Sequence, residues 1–133
     1  MALLSTGVTT TVNAIEPRYS HTIELVQNDT RPQLNITIID DMTQLAMDLT
    51  GVSAIKLHLR EEDADVIKTS IPMYVAGDPV DGQVFMQWTA GALDTAGWFV
   101  GEIELTFGTG ESTAIQTLYE EIRFKIRADY KTS

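Results

Sequence analysis

Two histidines, six serines and three runs of paired carboxylates are the side chains here with the chemistry for catalysis or metal binding. Their spacing argues against both roles. His21 and His58 are far apart in the chain, and with no cysteine present neither belongs to a ligand set at metal-binding spacing. Ser5, Ser20, Ser53, Ser70, Ser112 and Ser133 include no Gly-x-Ser-x-Gly elbow, so acyl transfer lacks its usual nucleophile signature. Asp40-Asp41, Glu61-Glu62-Asp63-Ala64-Asp65 and Glu120-Glu121 contain the paired carboxylates that a glycosidase divides into acid and base. Each run sits beside turns, where carboxylates usually stay hydrated, so they read as solvated loop charges. The Glu61–Asp65 loop has the oxygen chemistry of a calcium site but not the EF-hand spacing. Gly108-Thr109-Gly110 precedes no helix, which makes it a hairpin loop and not a phosphate cradle. The expectation is a protein with no catalytic residue, no metal and no cofactor.

Composition narrows the alternatives. A chain of 133 residues is the size of one domain and buries roughly two-thirds of the surface that its unfolded form exposes. Hydrophobic residues at 44% and charged residues at 21% are globular proportions, too apolar for a disordered chain. Without cysteine there is no disulfide framework, so stability comes from the core or from subunit contacts. Nineteen acidic against nine basic residues give a net charge of -10, a field that repels nucleic-acid phosphates and anionic lipid headgroups alike. No apolar run approaches membrane-spanning length, and Met1–Gly7 lacks the basic region and apolar length of a signal peptide. Neither nucleic acid nor membrane is expected as a partner, and the sequons Asn28-Asp29-Thr30 and Asn35-Ile36-Thr37 carry no weight without secretion.

The elements that must position any site are strands. Residues 1–20, threonine-rich and without sustained period, read as an extended N-terminal arm ahead of a β domain over 21–133, either unstructured or ordered along a neighbouring subunit. From there the period is two. Ile23 and Leu25, then Leu34, Ile36 and Ile38, alternate with polar neighbours, with the Gln27–Pro32 loop between them. Ile55, Leu57 and Leu59 face inward while Lys56, His58 and Arg60 face out. A shorter strand over about Val66–Ile71 is expected to stop at Pro72, which cannot donate to a ladder. Gly77-Asp78-Pro79 and Asp81-Gly82 signal turns before Val84, Met86 and Trp88 resume the alternation, and Thr89–Ala96 has room for one helical turn. Phe99, Gly101, Ile103, Leu105 and Phe107 share a face, a return strand covers Thr113–Leu118, and Ile122, Phe124 and Ile126 alternate with Arg123, Lys125 and Arg127.

Seven or eight short strands without an amphipathic helix predict two antiparallel sheets packed face to face, with a barrel as the rival arrangement. The basic outer face of the last strand is expected to meet Glu102 and Glu104 across the sheet. Trp98, Phe85 and Tyr119 fall out of phase with the core residues beside them. They are candidate interface anchors together with Arg123, Lys125 and Arg127, unless a bulge or a doubly covered strand hides them.

Order and spacing carry one further indication. Leu34–Asp41, then Met47-Asp48-Leu49-Thr50-Gly51 and Ala54–Arg60, followed by Gly82–Trp88 and Ala96–Ile103, resemble the immunoglobulin-like N-terminal domain of the phage baseplate upper protein family. The match covers about Ile23–Ile126. The resemblance implies an all-β, immunoglobulin-like antiparallel sandwich in which Leu49 plugs one end and Thr50-Gly51 turns the chain. It implies a non-enzymatic virion component of a tailed phage, made in the host cytoplasm and placed in the tail, baseplate or fibre-attachment region. Expected partners are other virion proteins and copies of itself in a symmetric homo-oligomer, with the arm as tether. A capsid decoration protein and a carbohydrate-binding adhesin are the alternatives.

Overall fold

Branched and aromatic residues at alternate positions favour extended backbone, and wherever one set meets a core the other set is left facing water. The computed structural model describes residues 8–13, 22–40, 43–108 and 113–130. Within them are ten strands: β1 (Val8–Asn13), β2 (Thr22–Val26), β3 (Leu34–Asp40), β4 (Leu45–Ala46), β5 (Val52–Glu61), β6 (Thr69–Val75), β7 (Gln83–Met86), β8 (Gly97–Phe107), β9 (Ala114–Thr117) and β10 (Ile122–Arg127). His21, Asp41, Thr109, Gly110 and Ser112 lie outside the described residues, as do Ser5, Ser20, Ser133 and residues 1–7 and 14–20 of the expected arm.

The all-β class holds, but the arrangement differs from two separate antiparallel sheets. Strand order is β1-β3-β7-β6-β5-β8-β10-β2, with β4 on β3 and β9 on β8, in one mixed and strongly curled half-barrel sheet. β6 joins its two halves, pairing with β5 through Thr69–Met73 and with β7 through Tyr74 and Val75. The expected stop at Pro72 is therefore a correction. The strand runs through it, because at Pro72 only the β5 side has a neighbour and a residue without an N–H is tolerated on a strand with one open side. Both ends of the sheet are parallel pairs, β1 with β3 and β2 with β10. Residues 8–13 of the expected arm are thus extended and laid along β3. Thr89–Ala96 forms turns and no helix, closed by Ala92 N donating to Thr89 O at 3.1 Å.

One core fills the concave side. Leu34, Ile36 and Ile38 from β3 join Ile55, Leu57 and Leu59 from β5, Ile103 and Leu105 from β8, and Phe124 and Ile126 from β10, all buried. Every inward residue named from the two-residue period is buried except Phe107, which is half-buried at the end of β8. Trp88 lies edge-on to Phe124 with ring centroids 5.2 Å apart. Gly101 sits on the inward face because β5 and β10 press side chains against it: a Cβ there would lie 2.8 Å from Leu57 Cδ1 and 2.8 Å from Phe124 Cε2.

The two ends of the curl are closed by different loops. At the end where β5 begins, Leu49 is buried and accepts from Val52 N at 3.0 Å, as the plug-and-turn expectation required. The Asp48 carboxylate accepts from Thr50 N (2.9 Å) and Thr50 Oγ1 (2.6 Å), which fixes the turn. At the end where β8 begins, Leu93 is buried and Asn28 N donates to Leu93 O at 2.7 Å.

Candidate assembly surface

Strand β10 builds the surface. Its inward residues are locked in the core, so the alternation compels Arg123, Lys125 and Arg127 to project outward, and all three are exposed. In register, Lys125 lies between Trp98 of β8 and Glu24 of β2, and Arg123 lies between Val100 and Thr22. Trp98, 40% exposed, is brought under two cations: the Arg123 guanidinium carbon is 4.2 Å from its ring centroid and Lys125 Nζ is 5.4 Å away. Arg127 lies 5.3 Å from the ring of Tyr130 and donates to Ala128 O at 3.0 Å. Four of the six expected anchors, Trp98, Arg123, Lys125 and Arg127, therefore share one patch.

The other two lie elsewhere. Phe85 is half-buried on β7, four strands away in the order, and meets Tyr74 with centroids 5.9 Å apart. Tyr119 is exposed in the turn between β9 and β10, which both run along the same side of β8. Sequence reasoning missed Tyr74, Tyr130 and Glu62. Tyr130 stands three residues after Arg127, close enough for the pairing to have been suspected, but the approach of Glu62 depends on the whole sheet.

The expected cross-strand partners of the basic face are also corrected. On β8 the residues opposite Arg123 and Lys125 are Val100 and Trp98, the β10 pairing ends at Gly101, and further along Glu104 faces Thr117 of β9. Arg123 instead reaches the β5–β6 loop, donating from Nε to Glu62 Oε2 at 2.5 Å and from Nη2 to Oε1 at 3.0 Å. That guanidinium holds the Glu62 carboxyl below its ordinary value, against a smaller opposing effect of desolvation. Asp94 is likewise held down, by Lys68 Nζ at 2.6 Å and by the Thr95 hydroxyl. His58 lies on the outer face as expected, with Nδ1 2.7 Å from Ser70 Oγ and Nε2 3.4 Å from Glu104 Oε1.

The Glu61–Asp65 loop is organised by protein cations. Arg60 Nη1 donates to the carbonyls of Glu61 (3.3 Å), Glu62 (3.2 Å) and Ala64 (3.1 Å), while Nη2 meets Glu121 Oε2 at 3.3 Å. One guanidinium thus gathers three main-chain oxygens of the loop. Among the described residues, no group of three or more His, Cys, Asp or Glu side chains converges as a metal site.

Chemically, the patch can make ion pairs with carboxylates and can bury aromatic area, the combination that anchors protein interfaces. No family model matches the chain, and no curated protein matches it by sequence. Among solved structures it is similar to the "N-terminal domain of phage TP901-1 ORF48", with a TM-score of 0.66 at 10% identity, over 90% of this chain and 98% of that one. At that identity the likeness is one of fold.

Proposed function

We propose that the chain is a non-enzymatic structural protein of a tailed bacteriophage particle, an assembly module in the tail, baseplate or fibre-attachment region. The observation carrying this reading is the fold likeness to a phage protein domain over 98% of that domain. It agrees with the sequence resemblance of about Ile23–Ile126 to the phage baseplate upper protein family. The half-barrel reads as an open form of the immunoglobulin-like sandwich, since the β3–β7 half and the β5–β8–β10 half pack one core between them.

The mechanism follows from the surface. Among the described residues, both terminal strands of the sheet, β1 and β2, have a ladder on one side only, so each can accept main-chain hydrogen bonds from another virion protein. The β10 patch of Trp98, Arg123, Lys125 and Arg127 supplies side-chain anchors, with Phe85 and Tyr119 as secondary contacts. An adhesin stacks sugars on an open aromatic face, whereas Arg123 already lies over Trp98, which favours a protein partner.

Mass spectrometry and immuno-electron microscopy of purified particles test the reading. The protein should be found at the tail tip. Location on the head would transfer it to the decoration class, and absence from purified particles would refute it. Deleting residues 1–20 also removes strand β1, so circular dichroism should first show that the remaining strands stay folded; the shortened protein should then no longer enter particles, and undiminished entry would rule out the tether.

A further inference from the structure

Positive charge is unevenly divided between the two ends of this sheet. No Lys or Arg occurs between Arg31 and Lys56, or between Lys68 and Arg123. The loops at the end where β5 begins, described over 43–51 and 76–82, therefore carry Asp48, Asp78 and Asp81 without a single cation, and all three are exposed. These loops are tied together. Leu49 N donates to Pro79 O at 2.9 Å, Met47 N to Ile38 O at 2.8 Å, and Ile38 N to Gly82 O at 2.8 Å. Asp48 is held by Thr50, and Asp78 accepts from Val80 N at 3.2 Å to cap the 3-10 turn Pro79–Asp81. Three carboxylates are thus presented by a braced end that loses little freedom on binding.

The β10 patch lies toward the opposite end. Residue 126 pairs with Gly97 at the start of β8, while the acidic loops adjoin its far end near Phe107, where Gly108 N donates to Gly51 O at 3.1 Å. Eleven residues of β8 separate the two, or about 33 Å at the usual rise of a strand. Arg123 is engaged by Glu62, but among the described residues neither Lys125 nor Arg127 has a carboxylate within 4 Å, although Glu24 is the register neighbour of Lys125. Glu24, Leu25 and Val26 border a shallow hollow with these two cations. Trp98 and Tyr130 add exposed aromatic area beside it.

A chain of net charge -10 repels its own copies, so a contact between copies must place opposite charges together. A two-fold contact through the acidic ends opposes like charges, and so does one through the β10 patches. The remaining match is between the two unlike surfaces. We propose that copies of this protein associate head to tail, with the Asp48–Asp78–Asp81 end of one seated on the Lys125–Arg127–Trp98 patch of the next. Such a contact is heterologous and closes into a ring or continues as a filament according to the rotation between copies. The proposal deepens the assembly reading by naming a second copy as the partner, yet its test is made in solution and is separate from the location of the protein in a particle.

Sedimentation velocity of the full chain across a concentration series, at low and high salt, reads the association. Wild type should associate reversibly and roughly tenfold or more weakly at high salt. K125E/R127E should be monomeric, and so should D78N/D81N, in which Asn keeps the cap at position 78. Circular dichroism and thermal melting should show both variants folded. An equimolar mixture of K125E/R127E with D78N/D81N, which offers one native acidic end and one native patch, should form a one-to-one complex and nothing larger. Wild type that stays monomeric at every concentration, or self-association that survives K125E/R127E, overturns the proposal.

Discussion

Replacing Gly82 by alanine should destabilise the protein far more than the same change at Gly51, although both glycines lie in the left-handed region, at φ +63° and +88°. A residue with a Cβ loses about 1 to 2 kcal/mol in that region relative to glycine, and both variants carry this cost. At Gly51 nothing lies within 4 Å of the added carbon, so the cost ends there. At Gly82 the carbon would lie 2.8 Å from Ile38 O, 3.0 Å from Met47 N and 3.0 Å from Met47 O. These are backbone atoms held by the Met47 N to Ile38 O and Ile38 N to Gly82 O bonds, so no rotamer relieves the overlap. Overpacking of this kind adds about 1 to 3 kcal/mol, and stretching one of the two bonds adds about 1 more. The expected losses are therefore about 1 to 2 kcal/mol for Gly51→Ala and about 3 to 6 kcal/mol for Gly82→Ala. Urea unfolding followed by tryptophan fluorescence, with Trp88 buried and Trp98 partly exposed, measures both. Equal losses would show that the close approach of β3, the Met47 loop and Gly82 does not exist in solution, and the braced acidic end would go with it.

The remaining predictions concern the core and the patch. Leu57→Ala should cost on the order of 2 to 5 kcal/mol and Lys56→Ala within about 0.5, and the reverse order would mean that β5 is in register by the wrong face. Gly101→Ala should cost about 1 to 3 kcal/mol, and in a double mutant with Leu57→Ala the total should fall short of the sum, because the shorter side chain frees the space that the new methyl needs. Strict additivity in chemical denaturation would contradict that contact. Because Arg123 depresses the Glu62 carboxyl, it adds stability that is present above the unfolded-state value and lost as pH falls through the lower folded value. In Arg123→Ala the Glu62 titration followed by NMR should move up toward an ordinary glutamate, and an unmoved midpoint would show that the ion pair is not made.

Much of the fold is legible in the chain. The two-residue rhythm identifies the buried set on β2, β3, β5, β7, β8 and β10, because a strand with one wet face must sort its side chains by position. The same rhythm turns Arg123, Lys125 and Arg127 outward, and Asp48-Leu49-Thr50-Gly51 carries its turn chemistry in its own residues. The corrections share a different origin. Pro72 reads as a strand end, yet it is tolerated because β7 joins β6 only beyond it, and the charges on β10 look suited to Glu102 and Glu104 until the register sets Val100 and Trp98 opposite Arg123 and Lys125.

Local sequence therefore determined where most of the strands lie, which face of each is buried, and that the chain is acidic and rich in β structure. Only the tertiary structure decided which strands are neighbours. It paired β1 and β2 in parallel at opposite edges, carried β6 between two halves of one curled sheet, and brought Glu62 rather than Glu102 to Arg123. The reason is physical: alternation and turn chemistry act within a few residues, whereas strand neighbours and ion pairs are chosen by the closure of one core across the whole chain.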